Sequence, residues 1–142
     1  MTFKFSLEPV LKVNEHREKQ QQQKYAAQVK QMQSIKDKID DLKDRISQTD
    51  DTSEARYTSI HALRARYGVL EQMHVEIGKL EKELILVDER VDAERKKLVE
   101  AHRKTHMMET MKTKEFTTFR HQVNQLEQGQ MDEVASQIVS RR

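Results

Sequence analysis

The chain has 142 residues, of which 35% are hydrophobic, 35% are charged and 5% are aromatic. This composition excludes a thick globular core, so the apolar residues are expected to form narrow seams along helices. The 26 basic and 24 acidic residues are interspersed and give a net charge of +2. This pattern lacks a basic stripe and argues against nucleic acid as a partner.

The N-terminal sequence MTFKFSLEPVLKV has no uninterrupted apolar stretch like that of a signal peptide. Nowhere does the sequence contain an apolar run long enough to span a bilayer. The absence of cysteine also excludes disulfide and thiolate chemistry and fits a reducing compartment. We therefore expect a cytoplasmic protein.

A first helix is predicted from about residue 6 to about residue 48. Ser6 can cap its start, and Pro9 falls in the opening turn, where no proline N–H is needed. From Tyr25 onwards, apolar residues recur every three or four positions, as in the seam of a coiled coil. This seam contains Tyr25, Val29, Met32, Ile35, Ile39, Leu42 and Ile46.

A bend is predicted at about residues 47–53, where seven consecutive residues include no apolar side chain and are mostly turn and N-cap types. Asp51 and Glu54 resemble a capping box that would start a second helix at about residue 54. The second helix is predicted to continue to about residue 140. Its seam contains Ile60, Leu63, Tyr67, Leu70, Met73, Ile77, Leu80, Leu84, Val87, Val91, Leu98, Ala101, Met108, Phe116, Phe119, Val123, Leu126, Val134 and Ile138.

These elements predict an all-α protein with a single domain over residues 1–142. Two long helices would form an antiparallel coiled-coil hairpin with a longer C-terminal helix. Gly68 and Gly78 each weaken a helix interior by roughly 1 kcal/mol relative to alanine, so the second helix is expected to bend near them.

The unequal helix lengths predict an uncovered apolar region. With a bend near residue 50, paired residue numbers would sum to about 100, and the N-terminal phenylalanines would lie near residues 94–97. Apolar residues beyond that point would need cover from a second copy, a fold-back of the helix or another protein. They are Leu98, Met107, Met108, Met111, Phe116, Phe119, Val123 and Leu126.

The sequence contains no pattern that predicts catalysis or a cofactor. His102 and His106 are spaced for one helical face, but no glutamate lies between them and no third metal ligand is apparent. The paired acids at 40–41 and 50–51 fit a solvated face and a capping turn. There is no phosphate-binding glycine loop and no nucleophile elbow. We therefore predict no enzyme activity, no metal, no cofactor and no small-molecule substrate.

The two ends of the chain and its central hairpin pattern together resemble a known family. The start is FKFSLEPVL at residues 3–11, and the ending is LEQGQMDEVA at residues 126–135. They resemble FliJ, a small cytoplasmic component of the bacterial flagellar type III protein-export apparatus. The resemblance covers the whole length, and Gly129 is a helix-weakening departure just before the ending's MDE residues.

The resemblance implies a stalk-like coiled coil, similar to the central stalk subunit of rotary ATPases. Such a protein would insert the end bearing both termini into the ring of the export ATPase FliI, a hexamer, and promote its assembly and activity. It would also bind the export gate protein FlhA and the export chaperones. Its expected location is cytoplasmic, peripherally associated with the inner membrane at the flagellar base.

The resemblance supplies the names of the partners, and helix geometry supplies two expected contact surfaces. The export gate is expected to meet Leu42, Ile46, Tyr57, Ile60, Leu63 and Tyr67, at the end of the hairpin farthest from the termini. The ATPase ring is expected to meet Phe3, Phe5, Leu7, Phe116, Phe119, Arg120, Val123, Leu126, Met131, Asp132, Glu133 and Val134.

Three other functions remain open from the sequence. A homodimeric structural spacer would self-associate and bury residues 98–138. A holdase chaperone would bind unfolded proteins through a flexible apolar patch formed by Met107, Met108 and Met111, which Phe116 and Phe119 flank. A virulence type III secretion stalk of the YscO group would have the same helical pattern, although the opening segment favours the flagellar form.

Overall fold

The structure is a computed structural model that describes residues 1–51 and 59–142, with the side chains of residues 1–49 and 59–142. It contains two helices, α1 from Glu8–Asp51 with 44 residues and α2 from Ile60–Ser140 with 81 residues. The two helices pack against each other, and the described residues include no strand. The all-α prediction is therefore confirmed.

Helix α1 begins at Glu8, whose backbone N–H donates to the Phe5 carbonyl at 3.2 Å. Pro9 lies in the first turn, where its missing N–H leaves no helical hydrogen bond unmade. At the other end α1 continues to Asp51. Residues 47–51, which the sequence assigned to the bend, are thus helical, and the Thr49 hydroxyl donates to the Arg45 carbonyl at 2.8 Å. The rest of the predicted bend lies outside the described residues.

The described part of α2 begins with a serine cap. The backbone N–H of Ala62 donates to the Ser59 hydroxyl at 3.3 Å, and that of Leu63 donates to the Ser59 carbonyl at 3.3 Å. Asp51, predicted to cap this helix, is instead the last residue of α1. Its capping-box partner Glu54 lies outside the described residues, as does the predicted start of the second helix.

The chain divides into two compact units, each containing part of both helices. Unit 1 comprises Met1–Gln20 and Val99–Arg142, and unit 2 comprises Gln21–Leu98. Helix α2 runs without a break through Gly68 and Gly78, and a Cβ atom at either position would meet no neighbouring atom within 4 Å. Neither glycine is therefore required by close packing.

The core of unit 2 consists of the predicted seam residues. Two hydrogen bonds flank it: Gln21 Nε2 donates to the Glu94 carbonyl at 3.2 Å, and Arg66 Nη2 donates to the Thr49 carbonyl at 2.8 Å. Partner numbers therefore fall along α2 as they rise along α1. The buried side chains are Ile35, Ile39, Leu42, Ile77, Val87 and Val91, flanked by Tyr25, Val29, Met32, Ile46, Met73, Leu80 and Leu84.

Unit 1 has a smaller buried set, formed by Phe5, Leu11 and Thr105. The Thr105 hydroxyl donates to the Ala101 carbonyl at 3.1 Å, which satisfies this polar group within its own helix. An ion pair between Lys112 and Glu8 at 2.8 Å also joins the segments of this unit, as does a contact of 2.6 Å between His102 Nδ1 and Glu18 Oε1.

The N-terminal phenylalanines do not lie near residues 94–97, so the predicted register was wrong. The ring of Phe3 instead contacts the rings of Phe116 and Phe119, with centroids 5.2 and 5.5 Å away. Phe116 and Phe119 therefore have a partner within the chain, contrary to the prediction. Paired residue numbers sum to 120 in this unit, as in Glu8–Lys112, and to 115 in unit 2, as in Gln21–Glu94, whereas a sum of about 100 was predicted.

Candidate protein-binding surfaces

The last five turns of α2 carry an exposed apolar face. At 3.6 residues per turn, apolar side chains near residues 131, 134 and 138 fall on one side of the helix. Met131 is 74% exposed, and Val134 and Ile138 are more than half exposed. We call this the C-terminal face; it is lined by Glu127, Gln130, Met131, Val134, Ala135 and Ile138.

The residues predicted to contact an ATPase ring differ widely in exposure. Phe5 is only 6% exposed and belongs to the interior of unit 1. Phe3, Leu7, Phe119 and Val123 are half-buried, and the rings of Phe3 and Phe119 contact each other. The exposed members are Phe116, Arg120, Leu126, Met131, Asp132, Glu133 and Val134. The structure thus brings Phe3 together with Phe116 and Phe119, and it leaves the predicted contact residues from Leu126 onwards exposed.

A shallow groove runs beside the contact between Phe3 and Phe119. It is formed by Thr2 and Lys4 from the N-terminal segment and by Lys114 and Gln122 from α2. Sequence reasoning missed this groove because it paired Phe3 with residues 94–97. The matching aromatic residues at 3, 116 and 119 were a signal that could have suggested the correct pairing.

The residues predicted to contact the export gate divide into buried and exposed members. Leu42 lies in the core of unit 2 and Ile46 packs against that core. Ile60, Leu63 and Tyr67 are exposed and recur at the spacing of one helix face. We call these three residues the α2 N-terminal face. Tyr57 lies outside the described residues.

His102 contacts the first helix, whereas His106 is exposed on the same helix as His102. His102 Nδ1 lies 2.6 Å from Glu18 Oε1, and the two histidine rings are stacked with centroids 6.3 Å apart. Throughout the described ranges, no group of three or more His, Cys, Asp or Glu side chains could hold a metal ion. The contact with Glu18 accounts for His102 alone.

Two carboxylates of unit 2 have lowered pKa values, and both have local structural causes. Hydrogen bonding from Lys96 is the main cause of the lowered pKa of Asp92, with a further contribution from Arg95. The side chain of Gln21 donates to the Glu94 carboxylate and is the main cause of its lowered pKa. Both shifts favour the ionised form and mark structural contacts.

No helix in the described ranges combines the length and apolarity needed to cross a bilayer. Two packed helices with exposed apolar faces on α2 are the features of a coiled-coil protein that binds other proteins. More specifically, the chain belongs to the FliJ family, because the family model described as "Flagellar FliJ protein" matches residues 3–142. Membership confirms the resemblance and implies a component of the flagellar export apparatus. Comparisons with curated proteins and with solved structures give no match.

Proposed function

We propose that this chain is a non-enzymatic, stalk-like component of the flagellar type III export apparatus. It binds the export ATPase ring, stimulates ATP hydrolysis, and links the ring to the export gate and to the substrate chaperones. In this proposal residues 1–142 form a single antiparallel coiled-coil hairpin with a longer second helix. The protein works in the cytoplasm, peripherally associated with the inner membrane at the flagellar base.

The exposed C-terminal face is the observation that carries the proposal. Apolar side chains as large as Met131 and Ile138 are rarely left in water along one side of a helix unless a partner covers them. The family supplies the partner, an export ATPase of the FliI type. Interface energy concentrates in a few large side chains, so these residues are the proposed anchors.

The aromatic contact of unit 1 supports this proposal indirectly. Phe3 packs against Phe116 and Phe119 and secures the N-terminal segment to α2 just before the C-terminal face begins. In the proposal this contact acts as a brace: it holds the N-terminal segment against α2, so that the following turns of α2 are left free to bind the ring. Phe5 and Leu7 contribute by supporting the brace, since Phe5 is buried and Leu7 half-buried.

The α2 N-terminal face is the proposed docking site for the export gate. Ile60, Leu63 and Tyr67 are exposed on one side of the first turns of α2. They are separated in sequence from the C-terminal face by about 60 residues, so the two surfaces can be altered independently. A component that links a ring to a gate requires two separable contacts of this kind.

The proposal is tested by ATP hydrolysis of the purified export ATPase with variants of the C-terminal face. We expect the triple substitution Met131→Ala, Val134→Ala and Ile138→Ala to abolish stimulation, because each lost anchor costs on the order of 2 kcal/mol of binding. Val139→Ala is the matched control, since Val139 is equally exposed but points away from the face. Circular dichroism should show unchanged helix content. Normal stimulation by the triple variant would overturn the proposal.

A further inference from the structure

Two opposite charges flank the apolar part of the C-terminal face. Glu127 lies in α2, and Arg141 directly follows Ser140, the last residue of that helix. The two residues are 14 positions apart, which is two heptads, and the Arg142 N–H donates to the Val139 carbonyl at 3.3 Å, so the turn continues and places both side chains on nearly the same side. Val134 lies midway between them on the same side. Both charged residues are exposed, and neither forms an ion pair with another residue in the part of the chain that the structure describes.

A face with this arrangement is complementary to itself when reversed. In an antiparallel pair of such helices centred on Val134, residue 127 of one copy lies opposite residue 141 of the other, at both ends. The apolar residues Met131 and Ile138 then cover one another between the two charge pairs. A parallel pair would instead place like charges opposite each other, which is unfavourable.

We propose that a second copy of this chain docks antiparallel on the C-terminal face, centred on Val134. Each Glu127 faces Arg141 of the other copy. The proposal rests on charge order and apolar spacing, and it does not depend on the ATPase contact proposed above. Both contacts use the same face, so self-association and ring binding exclude each other.

A lipid surface fits the segment less well than a second copy. Residues 120–142 include three basic residues, Arg120, Arg141 and Arg142, and three acidic residues, Glu127, Asp132 and Glu133. This balance gives no net attraction to an anionic membrane, whereas amphipathic helices that bind such membranes have a basic polar face. The reversed copy instead places Glu127 opposite Arg141 at both ends of the contact.

The proposed dimer is weak and depends on salt. A contact of two to three heptads is smaller than a standard interface, so we expect a dissociation constant on the order of 100 μM at low ionic strength. Exposed ion pairs are screened by salt, so dimerisation should weaken as salt is added.

Sedimentation equilibrium of the full chain at low salt tests the proposal through charge reversal. Glu127→Arg alone and Arg141→Glu alone place like charges at both ends of the interface, and each should weaken dimerisation about tenfold or more. The double variant Glu127→Arg, Arg141→Glu restores opposite charges and should restore the dimer. Asp132→Arg is the control, because Asp132 carries the same charge on the other side of the helix.

A disulfide trap provides a second measurement. The chain has no native cysteine, so Val134→Cys introduces one thiol at the proposed two-fold axis, where it should form a disulfide-linked dimer on mild oxidation. Residue 139 lies away from the face, so Val139→Cys should cross-link more slowly.

A wild-type chain that stays monomeric across the concentration range would overturn the proposal. The proposal would also be overturned if neither single charge reversal raised the dissociation constant of the dimer, or if the double variant did not restore the wild-type value.

Discussion

The ring of Phe3 meets the ring of Phe116 edge to face, with centroids 5.2 Å apart and an interplanar angle of 70°. This geometry is favourable for two aromatic rings, because the positive edge of one meets the negative face of the other. It fixes the N-terminal segment to a position on α2 well beyond that expected from the sequence. The uncovered part of α2 therefore begins after Phe119, and the C-terminal face is its main apolar surface.

Replacing Phe3 with alanine should loosen unit 1 without disturbing unit 2. The substitution removes both aromatic contacts of a half-buried side chain, and we expect a cost of about 1–2 kcal/mol. Hydrogen exchange measured by residue should become faster at Leu11 and Thr105, which are buried in unit 1. Exchange at Ile35 in unit 2 should be unchanged.

The Phe3→Leu variant distinguishes the contribution of the ring–ring contacts from that of apolar burial alone. Leucine keeps most of the buried apolar area but has no ring, so it should recover part of the protection that alanine loses. Met1→Ala is the control at an exposed neighbouring position. Equal exchange rates in Phe3→Ala and the wild type would show that this contact does not hold the N-terminal segment.

Ile35 and Ile85 form a matched pair for testing the core of unit 2. Ile35 is 3% exposed and Ile85 is 62% exposed, although both are isoleucines in helices of the same unit. Ile35→Ala should lower the free energy of unfolding by about 2–5 kcal/mol, because it removes buried methyl groups and leaves a cavity. Ile85→Ala should change it by less than about 0.5 kcal/mol. Urea denaturation followed by circular dichroism measures both; similar losses would contradict the packing described for this core.

The sequence predicted which residues of unit 2 are buried but not, in either unit, which residues of the two helical segments lie opposite each other. Residues such as Ile35, Ile39 and Leu42 recur at helical spacing, and that period alone places them on one face. A shift of the partner helix by whole heptads keeps every seam residue in the seam. Periodicity therefore does not determine the register, and the predicted position of Phe3 depended on an assumed bend near residue 50.

The same limitation applies to the predicted binding surfaces. Phe5 and Met131 are both apolar and both belong to the segments that resemble FliJ, but one is buried and the other is largely exposed. Residue type does not distinguish a side chain that supports a surface from one that forms it. Only the register shows that Phe5 lies inside unit 1 and that the turns after Phe119 are uncovered.

Glu94 should make the stability of unit 2 depend on pH under acidic conditions. Hydrogen bonding from Gln21 lowers the pKa of Glu94 below its ordinary value of 4.5, so the folded state favours the carboxylate. This contribution is fully present above the ordinary pKa and is lost as pH falls through the lower pKa of the folded state. Stability measured by urea denaturation should therefore decrease as pH falls below about 4.5.

Gln21→Ala tests the cause of this pH dependence. Removing the donor should raise the pKa of Glu94 toward its ordinary value, lower stability at neutral pH and reduce the loss on acidification. NMR titration of the Glu94 carboxyl carbon gives the pKa directly. Gln22→Ala is the control, because Gln22 is exposed next to Gln21. An unchanged Glu94 titration in Gln21→Ala would show that another group causes the shift.

Tyr67 offers the sharpest test of the proposed gate contact. It is 65% exposed on the α2 N-terminal face, so its replacement removes interface area without opening the core of unit 2. Tyrosine is enriched among residues that dominate binding energy, and Tyr67→Ala should weaken binding to the purified export gate protein by about tenfold or more. Stimulation of the export ATPase should remain normal, since the proposed ring contact lies on the C-terminal face. The exposed Val75→Ala serves as the control for a general surface change. Loss of both activities in Tyr67→Ala with intact helix content would refute two separable contacts, and unchanged gate binding would remove this face from the proposal.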